Sequence, residues 1–162
     1  MNKKGHVLNA VVLSAGLAYL AHPAGDFTTL RALVAIAVPV VLGALIPDVD
    51  TAFGTHRKTL HNLPVLVIFF VYPQYFDNLQ FVWIGVATHY VLDLLGSKRG
   101  IALFYPLDRA EFDVPVGVSV RSRYAGGVML LITGVELAIA AALVYNVPRK
   151  LIESGLRATG LL

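Results

Sequence analysis

The chain contains no cysteine, which excludes a disulfide framework and any thiolate metal site. It is also poor in charge. Asp, Glu, Lys and Arg make up 14% of the 162 residues, against roughly 25% in soluble domains. The formal net charge of +3 is small and scattered, which argues against a nucleic-acid surface. There is no internal repeat, no low-complexity tract, and no serine in a recognisable nucleophile context. What remains is largely apolar. Hydrophobic residues reach 57% and the mean hydropathy is +0.71, so the expected class is an all-α integral membrane bundle forming a single domain over 1–162.

Five apolar segments are legible, at 6–21, 30–46, 62–76, 79–95 and 124–145. Only the last reaches the ~20 residues that comfortably cross a bilayer. The others borrow flanking polar residues or do not fully cross. Pro39 and Pro73 predict kinks within the second and third. Asp77-Asn78 predicts a tight turn that makes the third and fourth an antiparallel hairpin. Lys3 and Lys4 precede an apolar stretch, but Ala21-His22-Pro23-Ala24 makes a weak cleavage site, so the segment reads as a retained span. Pro106 and Pro115 argue against one continuous helix across 97–123. Val114–Val120 reads as a short extended piece, and 149–159 as an amphipathic interfacial helix.

Against this apolar background a few residues stand out. His89 and Asp93 are four apart, so on a helix they share a face and can grip one ion. Asp48 and Asp50 close the second segment, His56 and His61 follow it, and His6 opens the first. The positive-inside rule places the N-terminus in the cytoplasm. Lys3, Lys4, Arg57, Lys58, Lys98, Arg99, Arg109, Arg121 and Arg123 then lie inside, and Arg31, Arg149, Lys150 and Arg157 outside. That topology puts every one of these seven residues on the cytoplasmic face of an inner or plasma membrane, multi-pass protein.

Four His and three Asp exceed what one tetrahedral ion needs, and suit two, with Asp50 or Asp93 bridging. Imidazole and carboxylate favour two Zn, or alternatively Mn. Two such ions can clamp an in-line phosphoryl displacement. The expected function is therefore phosphoester hydrolysis of a lipid or lipid-linked substrate by a metal-bound hydroxide. Arg57 would offset the developing charge, and Asp48 or Asp93 would orient or deprotonate the water. Membrane lipids are the expected surroundings.

These residues resemble a known family. Gly5-His6, Leu45-Ile46-Pro47-Asp48-Val49-Asp50, His56-Arg57, His61, Gly85 with His89 and Asp93, and Phe104-Tyr105-Pro106 follow its order and spacing. It is the YdjM-like family of inner-membrane-associated metal-dependent hydrolases, some described as LexA-binding. The resemblance spans about residues 5–115. It implies metal-dependent hydrolysis, with His6, Asp48, Asp50, His56, His61, His89 and Asp93 as ligand positions. It also implies a distant likeness to the helical zinc phospholipases C and P1-type nucleases. Lys58, Leu60 and Asn62 depart from the family's Gly, Thr and Ser in the His-Arg loop.

Other readings compete. His89 and Asp93 could be a hydrogen-bonded helix-end pair, Asp50 a cap for the following turn, and His56 and His61 interfacial side chains. A non-catalytic protein, its metal structural and its cytoplasmic face binding a LexA-like regulator, is the main alternative. A metal carrier is disfavoured because carrier sites lie near the midplane. Glu136, deep in the last segment, marks a polar contact with Asn9 or Ser14, a proton path or an oligomer seam, and lies too deep for the metal. His22 lies at the opposite side, without a partner.

Overall fold

The computed structural model describes residues 2–147 apart from 115 and 120, together with 149, 150, 153 and 157. Five α-helices follow one another: α1 Lys3–Ala21, α2 Phe27–Leu45, α3 Leu63–Phe76, α4 Val82–Leu95 and α5 Ala125–Val144. A short 3-10 turn, Pro47–Ala52, continues directly from α2. Among the described residues there is no β-strand, only an isolated antiparallel bridge between Ile101 and Phe112.

The helix starts are chemically marked. Asn2, Asp26 and Asn62 each accept backbone N–H bonds, from Gly5, from Thr28 and Thr29, and from Val65. These satisfy donors that a helix cannot pair internally. Helices α2 and α3 run on through Pro39 and Pro73. Asp77 ends α3 in left-handed backbone at φ 50°, and the chain turns back into α4. Phe70 and Trp83 meet edge to face across that hairpin, 5.3 Å between ring centres.

The core is built from small residues. Ala10, Ala18, Ile36, Val40 and Ala44 bring α1 and α2 together. Helices α2 and α4 cross backbone to backbone. A Cβ on Gly85 would overlap the Val40 carbonyl oxygen, and one on Gly43 would overlap that of Val82. Many of the larger apolar side chains point outward, although Leu92, Ile101 and Met129 are buried. Leu30, Val34, Val38 and Leu42 form an exposed stripe along α2, and Leu131, Val135 and Ile139 another along α5. In water such patches would drive association, whereas in hydrocarbon they are the ordinary outer surface.

Two stretches are long and apolar enough to cross a membrane: 27–52, which joins α2 to its 3-10 extension, and Ala125–Val144. The second expected segment therefore gains length at both ends. Helix α1 matches α2 in length, but carries Lys3, Lys4, His6 and Asn9 in its first two turns. Helices α3 and α4 have 14 residues each, about 21 Å at 1.5 Å per residue, short of the ~30 Å hydrocarbon thickness. Among the described residues of 97–123 there is no helix, as Pro106 and Pro115 required. Most of the expected interfacial helix at 149–159, and both Pro115 and Val120 of the expected extended piece, lie outside the described residues.

Candidate metal centre

One end of the bundle gathers the beginning of α1, the end of α2 with its 3-10 turn, the 53–62 loop and the end of α4. Each contributes candidate ligands or their partners, and all seven expected residues come together there. Two groups of three hold their ligand atoms within 4.8 Å of one another: His6, His89 and Asp93, and Asp48, His56 and His61.

On α4, His89 and Asp93 do share a face. His89 Nε2 lies 3.6 Å from Asp93 Oδ2 and 3.8 Å from Asp48 Oδ1. The His6 ring stacks on that of His89, 3.7 Å between centres and 8° from parallel. His6 Nε2 stands 3.4 Å from Asp93 Oδ1. Both His6 nitrogens are buried and form no hydrogen bond among the described residues. Asp93 stands within ion-pair reach of Nε2 alone, so this buried imidazole is under-satisfied.

Asp50 is wholly buried and lies outside both groups of three. Its Oδ1 meets His56 Nδ1 and its Oδ2 meets His61 Nδ1, each at 2.9 Å. The Leu60 N–H points to the same Oδ2 at 3.4 Å. One carboxylate thus orients two imidazoles. His89 Nδ1 donates instead to the Ala44 carbonyl at 2.7 Å. When both rings are neutral their Nδ1 hydrogens are committed, and the Nε2 lone pairs of His61 and His89 face each other at 3.1 Å. Burial, with His89 alongside, pushes the His61 imidazole down to about 4, so it stays neutral at physiological pH.

Arg57 occupies left-handed backbone at φ 68°, its carbonyl accepting from Ala102 N at 2.9 Å. Its guanidinium is buried. Nη1 faces Ser97 Oγ and the Gly100 carbonyl, each at 3.2 Å, and the Arg99 carbonyl, while Nη2 lies 3.6 Å from Asp93 Oδ1. Three carboxylates and one guanidinium leave the cluster two negative charges in excess when its histidines are neutral. His56 opens outward most, its side chain 38% exposed against 12% for Asp48 and 10% for Arg57.

The family departures are absorbed locally. Lys58 Nζ donates to the Arg109 carbonyl at 3.1 Å and pairs with Glu111 at 3.5 Å. Asn62 caps α3 at 3.0 Å, a role a serine also performs. Residues not singled out from the sequence complete the setting. Tyr90 Oη donates to the Leu60 carbonyl at 2.6 Å and accepts from Asn62 N, fixing the loop that carries His61. A buried tyrosine next to His89 was the available signal. Ser97 and the Ala44 carbonyl carry no sequence signal of their own.

A family model described as YdjM inner membrane protein matches residues 1–156. The chain belongs to this family. No curated protein and no solved structure matches it. Membership in an inner-membrane family agrees with the outward apolar stripes and the two membrane-length helices.

Proposed function

We propose that the chain is a membrane-bound, metal-dependent hydrolase that cleaves a phosphoester in a lipid or lipid-linked substrate, its site facing the cytoplasm. The observation that carries the metal is the 3.1 Å approach of the His61 and His89 Nε2 atoms. Two neutral imidazoles cannot hydrogen-bond lone pair to lone pair, but both can donate to one cation. Ligands about 2.0–2.2 Å from a tetrahedral ion are themselves about 3.3–3.6 Å apart. The separations among His6, His61, His89, Asp48 and Asp93, from 3.1 to 3.8 Å, bracket that spacing. The buried excess of two negative charges fits one divalent cation. A second ion, drawing on Asp48 and His56, would be balanced by an anionic substrate.

A bound Zn or Mn would supply Lewis acidity toward water and toward a phosphoryl oxygen. The protein's own residues set up that chemistry. Asp50 holds the Nδ1 atoms of His56 and His61, and leaves His61 Nε2 turned toward His89. Arg57, with Nη1 taken up by loop acceptors, works through Asp93 in this proposal rather than by gripping a phosphate directly. Asp48, nearly buried and beside His89, is placed to orient a water or take its proton. Part-exposed His56 marks the side from which a headgroup phosphate would enter.

Burial favours a second reading. His6, Asp50, His61 and His89 are fully enclosed, and closed four-ligand sites are ordinarily structural. The ion would then tie α1, α4 and the loop together, presenting a cytoplasmic face to a protein partner.

Metal content of the detergent-purified protein, before and after Zn or Mn is added back, tests both readings. The proposal expects one to two equivalents in the wild type, loss in the His89→Ala/Asp93→Ala double variant, and metal-dependent cleavage of a phosphodiester lipid. Metal without cleavage supports the structural reading. A folded wild type that takes up no metal overturns both.

A further inference from the structure

Asn9, Thr88, Thr133 and Glu136 form a polar cluster inside the bundle, where α1, α4 and α5 meet. Asn9 lies three residues after His6 on the same helix face, and Thr88 adjoins His89. Asn9 Nδ2 donates to Thr133 Oγ1 at 2.8 Å and to Glu136 Oε2 at 3.2 Å. Thr133 Oγ1 donates to the Met129 carbonyl at 2.9 Å. Thr88 Oγ1 lies 2.8 Å from Asn9 Oδ1 and 2.6 Å from Glu136 Oε1.

The hydrogens can be counted. A threonine hydroxyl has one, and Thr88 faces two oxygens. Rotating the Asn9 amide does not help, because its oxygen would then stand 3.2 Å from Glu136 Oε2 and face Thr133 Oγ1, whose hydrogen is already given to Met129. The arrangement is one hydrogen short, and Glu136 is the group that can supply it. We infer that Glu136 is a neutral carboxylic acid whose proton closes a ring, donating to Thr88, which donates to Asn9, which donates back to Glu136. Every donor and acceptor in the ring is then used.

The ring joins three helices one turn from the stacked His6 and His89 rings. Glu136 is thus a positioning residue. It fixes the register of α1 against α4, and with it the placement of His6. This second half rests on the metal reading; the proton does not.

The test uses the full chain in detergent or nanodiscs. The infrared difference between wild type and Glu136→Gln at neutral pH is expected to show a protonated carboxyl C=O band present only in the wild type. A carboxylate signal alone overturns the proton assignment. Glutamine reproduces the donor and acceptor of the neutral acid, so Glu136→Gln should bind Zn like the wild type. Glu136→Leu, and Thr88→Val if the leucine variant does not fold, should bind at least about tenfold more weakly, as for other groups that orient ligands. Undiminished Zn affinity in whichever of the two variants folds overturns the positioning role. A wild type that takes up no Zn overturns the metal reading and the positioning role together, and leaves the infrared band to decide the proton.

Discussion

His89 donates its Nδ1 hydrogen to the Ala44 carbonyl at 2.7 Å, across the crossing of α4 on α2. That bond is what leaves Nε2 free to face the cluster, and it exists because glycines let the two backbones touch. Gly43 and Gly85 lie at the contact, where a Cβ on either would overlap a carbonyl of the other helix. The ligand geometry is therefore a consequence of helix packing between small residues, a device common inside membranes.

Gly85→Ala should accordingly damage stability and site together. The added methyl must push α2 away from α4, and forced repacking of this kind costs about 1–3 kcal/mol. The Ala44 carbonyl withdraws from His89 at the same time. Gly134→Ala on α5 is the control, since a Cβ there meets nothing within 4 Å, and alanine is the better helix former by about 1 kcal/mol. Thermal unfolding in detergent should fall for Gly85→Ala and hold or rise for Gly134→Ala, with bound Zn reduced only in the former. Equal Zn content in the two variants would show that the crossing does not govern the site.

The five helices were legible from apolar runs, each found within three residues of its end. Three of them start on the polar caps Asn2, Asp26 and Asn62, which break the apolar runs. The site residues were legible because charge is expensive in this composition, so each Asp or His stood out. Their division of labour was not. Asp50 and Asp48 are two residues apart on one 3-10 turn, yet one meets two histidine Nδ1 atoms while the other faces His89. In the sequence Arg57 reads as the residue that would offset developing negative charge. It is buried because the 97–100 segment, 40 residues away, offers it carbonyls. Such roles depend on which backbone arrives from elsewhere, and no local spacing encodes that. Of the two polar contacts open to Glu136, Asn9 makes one, whereas Ser14 turns to its own helix and bonds the Ala10 carbonyl.

Asp50 should matter to metal affinity without itself being needed as a ligand. Removing a carboxylate that orients metal-bound histidines typically costs 10- to 100-fold in affinity, and Asp50 orients two. Asp50→Ala is expected at about 100-fold or more weaker and Asp50→Asn nearer about tenfold, since the amide oxygen can still accept one Nδ1 hydrogen. Calorimetric titration of Zn into the metal-stripped protein separates the two. If Asp50→Asn removes one whole equivalent of Zn while leaving the affinity of the rest unchanged, Asp50 is a ligand instead.

The loop that covers Arg57 should loosen on mild acidification. Arg99 grips Glu111 through two bonds of 2.9 and 3.0 Å, and Lys58 joins at 3.5 Å. Hydrogen bonding to the Arg99 guanidinium holds the Glu111 carboxyl below the usual glutamate range. A carboxyl depressed in the folded state binds its proton more readily when the loop is open. The tether's contribution is then fully present above the ordinary glutamate pKa, about 4.3, and is lost as pH falls through the lower folded value. For a solvated pair the effect is small, about 0.2–1 kcal/mol, so global unfolding is a poor readout. Amide exchange across 99–112, followed from pH 6 down to pH 3 and corrected for the intrinsic rate, is the sensitive one. Protection should fall toward the acid end in the wild type and start low, with little pH dependence, in Glu111→Gln. An identical acid-induced loss in both would assign the loosening to another group.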